Sequence, residues 1–456
     1  MGISEIISKI DDIMWGPAMI AFLLGTGIYM TFKTSFVQRY TFKGINISIR
    51  KDGSDKGELS IFGALMTALS STIGTGNIIG VGTAVVAGGP GAVFWIWMGG
   101  LFGIATKYAE TYIAVKYRKK DKEGKYIGGA MIAFEKLQKP TMAKLYAIFC
   151  AIAAFGIGCA TQSGAIADSL MDNFGISTYI TGIVLCILTA LVVFGGVKSI
   201  ARVCEKLVPI MGIVYVIGCL VILIINGKYL PQTFSVIIQS AFTGKAILGC
   251  FTGLTVRQVM SAGISRGLFS NEAGMGSAPQ ASAAGVAKNA VKPALVGSTG
   301  VFWDTIIICL MTGLVLVSSI IANDAISLAD GSIQTGALLV SKAFGQISYI
   351  GTPLLIFGIL TFAYSTILGW SYYGENAVRY LFGNKAIVPY RVLWIIVIFL
   401  GVVITEGTVW KVADILNAAM CIPNCILIWM LKDQILSDKK YYLDEDRLEE
   451  EDKSLE

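Results

Sequence analysis

Five side chains with hydroxyl or amide groups, Ser70, Ser71, Thr72, Thr75 and Asn77, stand among Gly74, Gly76, Gly80 and Gly82 in the run SSTIGTGNIIGVG, within an otherwise apolar stretch. Such groups are costly in hydrocarbon unless they find partners. A turn unwound at Gly74-Thr75-Gly76 frees backbone N–H and C=O groups at mid-membrane, where they can bind an ion and a zwitterion, and glycine weakens the helix where the unwinding is wanted. Close helix packing through Gly76 and Gly80, four apart, accounts for the small residues but not for the polar ones. A nucleotide loop is excluded, because one residue too many precedes the last glycine and no strand–helix–strand alternation surrounds the run.

A second stretch of the same kind is GISRGLFSNEAGMGSAP, from Gly263 to Pro279. Glu272 is its most informative residue, since a carboxylate at this depth needs a cation, hydrogen-bond donors or a proton. It either holds a substrate ammonium or braces the unwound backbone beside Asn271, and bracing is the preferred reading. Arg266, six residues earlier, is suited to pair with an acid at the entrance. In TFAYSTILGWSYYGEN, Ser365 and Thr366 offer hard oxygen ligands suited to sodium, and Trp370, one turn on, a rigid wall or lid. The competing reading is that these hydroxyls back-bond within their own helix. Phe155, Gly156, Gly158, Thr161 and Gln162 supply small and polar positions for lining a cavity, although packing explains them as well. Glu110 follows Lys107 by three residues and reads as a local ion pair. Asp304 has no partner visible in the sequence.

These residues must be positioned by membrane helices. The chain has 456 residues, 55% hydrophobic and 14% charged, with a mean hydropathy of +0.70, and apolar runs near the roughly 20 residues that cross a hydrocarbon core recur along it. The expected architecture is an all-α polytopic membrane protein of about 11 transmembrane helices. Spans are expected near 14–33, 61–87, 91–116, 144–171, 178–197, 206–226, 294–321, 350–378, 388–405 and 409–431, with the interrupted region 255–287 as the eleventh. Threaded this way, one side collects Lys33, Arg39, Lys43, Arg50, Lys51 and Lys56, then Lys116 to Lys125, Lys198, Arg202 and Lys206, and finally Arg379, Lys385 and Arg391. By the positive-inside rule that side is cytoplasmic and the N-terminus is outside. The N-terminal segment is too long, and too acidic at its flanks, for a cleaved signal peptide.

Without the first helix, ten spans divide into two sets of five with opposite orientation, each opening on a glycine-rich interrupted stretch. Paired broken helices of this kind point to a secondary transporter's binding site. The expected segments are 1–60, an N-terminal helix and loop; 61–226, the first repeat; 227–254, an external connection with a possible re-entrant piece; 255–431, the second repeat; and 432–456, an acidic tail expected to be solvated and disordered. The absence of histidine removes Ser-His-Asp hydrolysis and histidine-ligated metals. The nine cysteines form neither a disulfide framework nor a zinc spacing. No enzyme, no cofactor, no resident metal and no nucleic-acid partner is expected.

The blocks SSTIGTGNIIGVGTAVVAGGPGAVFWIWMGGLFGIATKYAE and GLFSNEAGMGSAP strongly resemble the alanine or glycine:cation symporter family of prokaryotes, over about residues 14 to 431. The resemblance implies a leucine-transporter-type fold, with a five-plus-five inverted repeat plus an extra N-terminal helix, that carries alanine or glycine inward with sodium. It assigns the carbonyls of Ser70 and Ile73 and the hydroxyls of Ser365 and Thr366 to a sodium site. Thr75, Gly76, Asn77 and Ile79, with Ala273, Gly274, Met275 and Gly276, become the amino-acid-contacting surface, and Phe155, Met275 and Trp370 its walls. Asn77 takes the position that serves a second sodium in the leucine-transporter branch, but no neighbouring ligand set is recognisable. Partners are then a small amino acid, Na+ and the lipid bilayer of the plasma membrane. The alternatives are proton coupling in the same fold, for which Lys206 near the ion site is the candidate, and more distantly an ion channel or an amino-acid sensor.

Overall fold

The computed structural model describes residues 3–50, 58–121, 123–243, 255–328, 333–404 and 407–455. Lys51, Lys56, Lys122 and the latter part of the 227–254 connection lie outside the described residues. The N-terminal segment forms two helices, α1 (Ile3–Met14) and α2 (Pro17–Lys33), with a short α3 (Thr41–Ser48) after them. Pro17 begins α2, where its missing N–H costs nothing.

α4 (Ile61–Thr72) is capped by the Ser60 hydroxyl, which accepts from the Gly63 N–H, and it stops at Ile73. The chain resumes as a π-helical turn, Gly76–Gly80, that runs into α5 (Val81–Gly88). The two halves are bent by 52°. Then come α6 (Gly91–Lys116), a two-residue hairpin pairing Lys119–Lys120 with Tyr126–Ile127, and α7 (Ala130–Lys136). α8 (Pro140–Ala153) passes through a π segment, Ala154–Ala160, into α9 (Thr161–Phe174). α10 (Thr178–Val193), α11 (Gly196–Ile225) and α12 (Leu230–Thr243) follow.

α13 (Val256–Asn271) opens with a capping box between Thr255 and Gln258 and ends at Glu272, and the short α14 (Pro279–Ala283) continues beyond the interruption. α15 (Val291–Val301) is joined to α16 (Leu310–Ala322) by a third π segment, Phe302–Cys309. α17 (Gly336–Phe344), α18 (Gly351–Phe382), α19 (Ile387–Val403) and α20 (Gly407–Lys439) follow. α6 lies at the centre, against α2, α13 and α15, while α18 packs on α4, α8, α9 and α11.

Every expected span coincides with helix, but the count of eleven crossings is not established. Among the described residues seven helices are long and apolar enough to cross a membrane, or eight if the bent pair α4–α5 is one span. The shortfall has physical causes: α10 has only 16 residues, α6 carries Lys107 and Glu110 within it, and α13 is a polar half-helix. A second difference concerns the acidic tail, which is not a solvated, disordered end. α20 runs on to Lys439, a π turn covers Lys440–Asp444, and Leu443, Leu448 and Leu455 are buried.

α5 and α17 touch backbone to backbone through two glycines. A Cβ on Gly82 would lie 2.6 Å from the Gly336 carbonyl oxygen and 3.0 Å from its Cα. Backbone cannot yield as a flexible side chain does. Gly82→Val is therefore expected to force the two helices apart and to cost about 1–3 kcal/mol, read as a lowered melting temperature of the detergent-solubilised protein.

Candidate functional site

The first break is built by the residues that made its sequence unusual. The Gly74 N–H, which in an unbroken helix would donate to the Ser70 carbonyl, donates instead to Asn77 Oδ1 at 2.8 Å. That exchange ends α4 and leaves the Ser70 carbonyl without its helical partner. The Thr75 N–H turns to Gln162 Oε1 of α9 at 3.3 Å. The Thr75 hydroxyl, by contrast, is buried and has no hydrogen-bond partner among the described residues. Buried hydroxyls are ordinarily hydrogen-bonded, so an unpaired one at a helix break has capacity left for a further partner.

Beside it, α18 brings Ser365 Oγ and Thr366 Oγ1 to 3.4 and 3.3 Å from the Ile73 carbonyl oxygen. The same hydroxyls lie closer to the Phe362 carbonyl of their own helix, at 2.9 and 3.0 Å. Each hydroxyl has one proton to give. Once that proton is committed to Phe362, lone pairs on Ser365 and Thr366 face lone pairs on the Ile73 carbonyl. Back-bonding and ion binding are thus compatible, because the back-bond turns the acceptor side of each hydroxyl toward the break. Such a meeting of acceptors at the negative end of the α4 dipole is an environment whose chemistry suits a hard cation.

The second break is braced from within. Glu272, Gly274 and Gly276 all have positive φ, at 54°, 95° and 71°, a backbone that glycine adopts freely. The Lys107 ammonium donates to the Glu272 carbonyl at 2.9 Å and sits 2.7 Å from Glu110 Oε1. Glu110 Oε2 accepts from the Gly274 and Gly276 N–H groups, both at 3.1 Å, and from Asn424 Nδ2 at 2.9 Å. Asn424 Nδ2 also donates to the Gly274 carbonyl, and the Tyr146 hydroxyl to that of Met275. A buried ammonium therefore meets the carbonyl end of α13, and a buried carboxylate meets the N–H groups beyond it. The Lys107–Glu110 pair is local in sequence, as expected, but it also closes the break from α6.

The two breaks are tied together by a residue for which the sequence offered no account. Asp304, in the π segment after α15, accepts from Asn77 Nδ2 at 2.6 Å, from Ser270 Oγ at 3.1 Å and from Thr305 Oγ1 at 2.7 Å. Asn77 belongs to the first break and Ser270 to the last turn of α13. Asn271 completes this junction by donating to Thr305 and accepting from the Ala273 N–H. The Glu272 carboxylate accepts from Trp370 Nε1 at 2.8 Å and from the Ser277 hydroxyl, which is the bracing geometry.

Not every expected site residue converges. Thr75, Gly76, Asn77, Ser365 and Thr366 gather at the first break, where Gly76 meets the Phe269 ring and Ser270, whereas Trp370 reaches Glu272 of the second break. Gly274 and Gly276 spend their N–H groups on Glu110, and Ala273 packs against Gly103 of α6. Met275 is buried beside Tyr146. The Phe155 ring faces Tyr390 and Trp394 of α19, at 5.4 and 5.6 Å between centroids, whereas Gly158, in the same π segment, abuts Trp370. Ile79 is part-exposed on the side of α17. Lys206 is exposed, because the buried face of α11 carries Cys204, Val208, Met211 and Tyr215, so its ammonium does not line the ion site. Three π segments, holding Asn77, Gly158 and Asp304, adjoin the breaks, and no periodicity reading of the sequence marks them.

A family model described as "Sodium:alanine symporter family" matches residues 1–456. The chain is 43% identical over 451 residues to a protein of Methanococcus maripaludis named "Sodium/alanine symporter AgcS", with 97% of this chain and 98% of that one covered. It is 44% identical over 447 residues to an "Uncharacterized transporter" of Haemophilus influenzae, covering 97% and 96%. Among solved structures, MhsT in complex with L-phenylalanine matches with a TM-score of 0.58 and 17% identity over 82% of this chain and 89% of that one, a likeness of fold.

Removing one member of the buried pair leaves the other charged and alone. Glu110→Gln is expected to destabilise the protein by about 3–5 kcal/mol, with Glu110→Asp less affected, as measured by thermal unfolding in detergent. A melting temperature unchanged in both variants would show that the second break does not depend on the pair.

Proposed function

The chain belongs to the sodium:alanine symporter family, and on that premise we propose that it carries alanine or glycine inward with sodium, using the first helix break for both ligands. It is an integral membrane transporter and not an enzyme, and sodium-coupled amino-acid symport is its activity. The observation that carries the finer reading is the pairing, within one break, of an acceptor-rich cation seat at Ile73, Ser365 and Thr366 with the unpartnered Thr75 hydroxyl.

A small zwitterion places its carboxylate on N–H groups at the start of the Gly76–Gly88 half-helix, where the dipole is positive, and its ammonium on carbonyl or side-chain oxygens. Sodium fastens the end of α4 and so shapes the amino-acid site next to it. Each ligand then raises the other's affinity by the same factor, typically worth about 1–3 kcal/mol. The charge that sodium carries lets the membrane potential contribute about 2.3 kcal/mol per 100 mV. Residues 61–226 and 255–431 act as the two inverted repeats, and transport follows from one helix set rocking against the other.

The basic residues set the orientation, with the N-terminus outside, the C-terminus cytoplasmic and the plasma membrane as the location. On the outer side, Arg266 lies 3.4 Å from Asp414 of α20 and over the Phe269 ring at 5.7 Å. Phe269 in turn lies against Gly76. This stack closes the path from outside above the amino-acid site.

In proteoliposomes, radiolabelled alanine uptake should require an inward sodium gradient; uptake driven equally well by a pH gradient without sodium would overturn the reading. Thr366→Ala is expected to raise the sodium concentration for half-maximal uptake by about tenfold with little change in the alanine KM at saturating sodium. Thr75→Ala should instead raise the alanine KM by about fivefold, the worth of one hydrogen bond near 1 kcal/mol. Equal effects of the two substitutions on both parameters would undo the division of the site.

A further inference from the structure

The acidic tail occupies a basic groove. Glu449 bridges Lys292 Nζ at 2.7 Å and Lys288 Nζ at 3.0 Å. Asp452 meets Lys116 Nζ at 2.6 Å, and its N–H donates to the Lys288 carbonyl at 2.8 Å. Asn289 Nδ2 donates to the Leu448 and Glu450 carbonyls, at 2.9 and 3.0 Å. At the other edge Asp446 pairs with Lys43. Leu448 and Leu455 are buried, so the tail is seated by apolar burial as well as by charge.

The floor of the groove is joined to the first broken helix. The Val286 N–H donates to the Leu59 carbonyl at 3.0 Å, and the Glu58 N–H to that of Ala284 at 3.0 Å, a single parallel β-bridge at the foot of α4. Arg118 fixes the same strip by donating to the carbonyls of Ala283 and Gly285. Contacts therefore run without interruption from the tail to residues 288–292, to the 284–286 bridge, to α4 and on to the Ile73 carbonyl. Moving the foot of α4 away from residues 284–286 requires the bridge to part. A tail that fastens residues 288–292 opposes that movement.

We propose that the basic groove of Lys43, Lys116, Lys288 and Lys292 is a binding surface for an acidic peptide, and that its occupant in cis, residues 446–452, latches the foot of α4 shut. That this is the cytoplasmic side rests on the orientation proposed above; the latch does not. Its charges persist over the physiological pH range. Lys292, with help from Lys288, holds the Glu449 carboxyl below the usual carboxylate range. The Glu449 side chain is 68% exposed, so salt reaches the pair: the Debye length falls from about 10 Å at 0.1 M to about 3 Å at 1 M. The latch thus responds to ionic strength on the tail's side, not to pH.

The test compares wild type with the double variant Glu449→Gln/Asp452→Asn, which retains the buried leucines and the fold of α20. Hydrogen exchange of the amides of residues 58–65 and 283–292, in lipid nanodiscs without sodium or amino acid, should be about fivefold faster in the variant. Wild type should approach the variant as KCl is raised from about 0.1 to about 1 M. Charge reversal of the Glu449 pairing, Glu449→Lys with Lys288→Glu and Lys292→Glu on the wild-type Asp452, should keep exchange slow. Unchanged exchange in the double variant overturns the latch, as does fast exchange in the reversed pairing with an unaltered melting temperature. Because no substrate is present, a wrong cargo assignment leaves this outcome untouched. With alanine and sodium supplied, the double variant should transport faster than wild type, and slower transport with faster exchange overturns the inhibitory sense of the contact.

Discussion

A helix interrupted in hydrocarbon exposes backbone groups that lipid cannot satisfy, and this protein meets that constraint in two different ways. Beyond α13, Lys107 places its ammonium on the Glu272 carbonyl and Glu110 its carboxylate on the N–H groups of Gly274 and Gly276. Ammonium at a carbonyl end and carboxylate at an N–H end is the arrangement a bound amino acid would make. The second break is in effect filled by a zwitterion assembled from the protein's own side chains. Beyond α4 the internal partners, Asn77 and Gln162, satisfy only the N–H groups of Gly74 and Thr75. The Thr75 hydroxyl keeps no partner among the described residues, and Ile73, Ser365 and Thr366 bring their oxygens together beside it.

Filling one break internally gives the other a fixed wall. Phe269 and Ser270, at the end of α13, face Gly76, and they hold their place because the residues after them are braced by α6 and α20. Asp304 then connects the halves, since the Asn77 that rearranges the first break and the Ser270 that ends α13 share its carboxylate. A change in the unwound turn at Gly74 cannot occur without disturbing Asn77, and Asn77 cannot move without altering what Asp304 holds. Coupling between sodium and cargo needs such a shared element, biased by both ligands.

The breaks were legible in the sequence because lipid makes polar residues and paired glycines conspicuous: SSTIGTGNIIGVG and SNEAGMGSAP are where the helices part. Ser365, Thr366 and Glu272 stood out for the same reason, and the first two lie beside Ile73 while Glu272 accepts from Trp370 and Ser277. What escaped was long-range. Lys107 and Glu110 disclosed their i, i+3 pairing but not the backbone 160 or so residues away that they satisfy, and nothing near Asp304 pointed to Asn77 or Ser270. The π segments escaped because they keep helical composition while shifting the register of the side chains that follow. Phe155 is thereby turned to Tyr390 and Trp394. The tail looked soluble by its charge alone, and charge alone does not reveal that a basic groove awaits it or that three of its own leucines become buried.

The two closures around the site differ in kind. On the side of Arg266, one ion pair with Asp414 and one aromatic ring lie over the first break, and the Arg266 side chain is 29% exposed. Partial exposure weakens such a pair, because water competes for both charges. On the tail's side, the foot of α4 is bridged through its backbone to residues 284–286, with Arg118 buried against the same strip. The backbone hydrogen bonds of Glu58, Leu59 and Val286 must be broken together to open that face, and each one lost frees a polar group that needs a new partner. The closure above Phe269 is therefore the easier one to part.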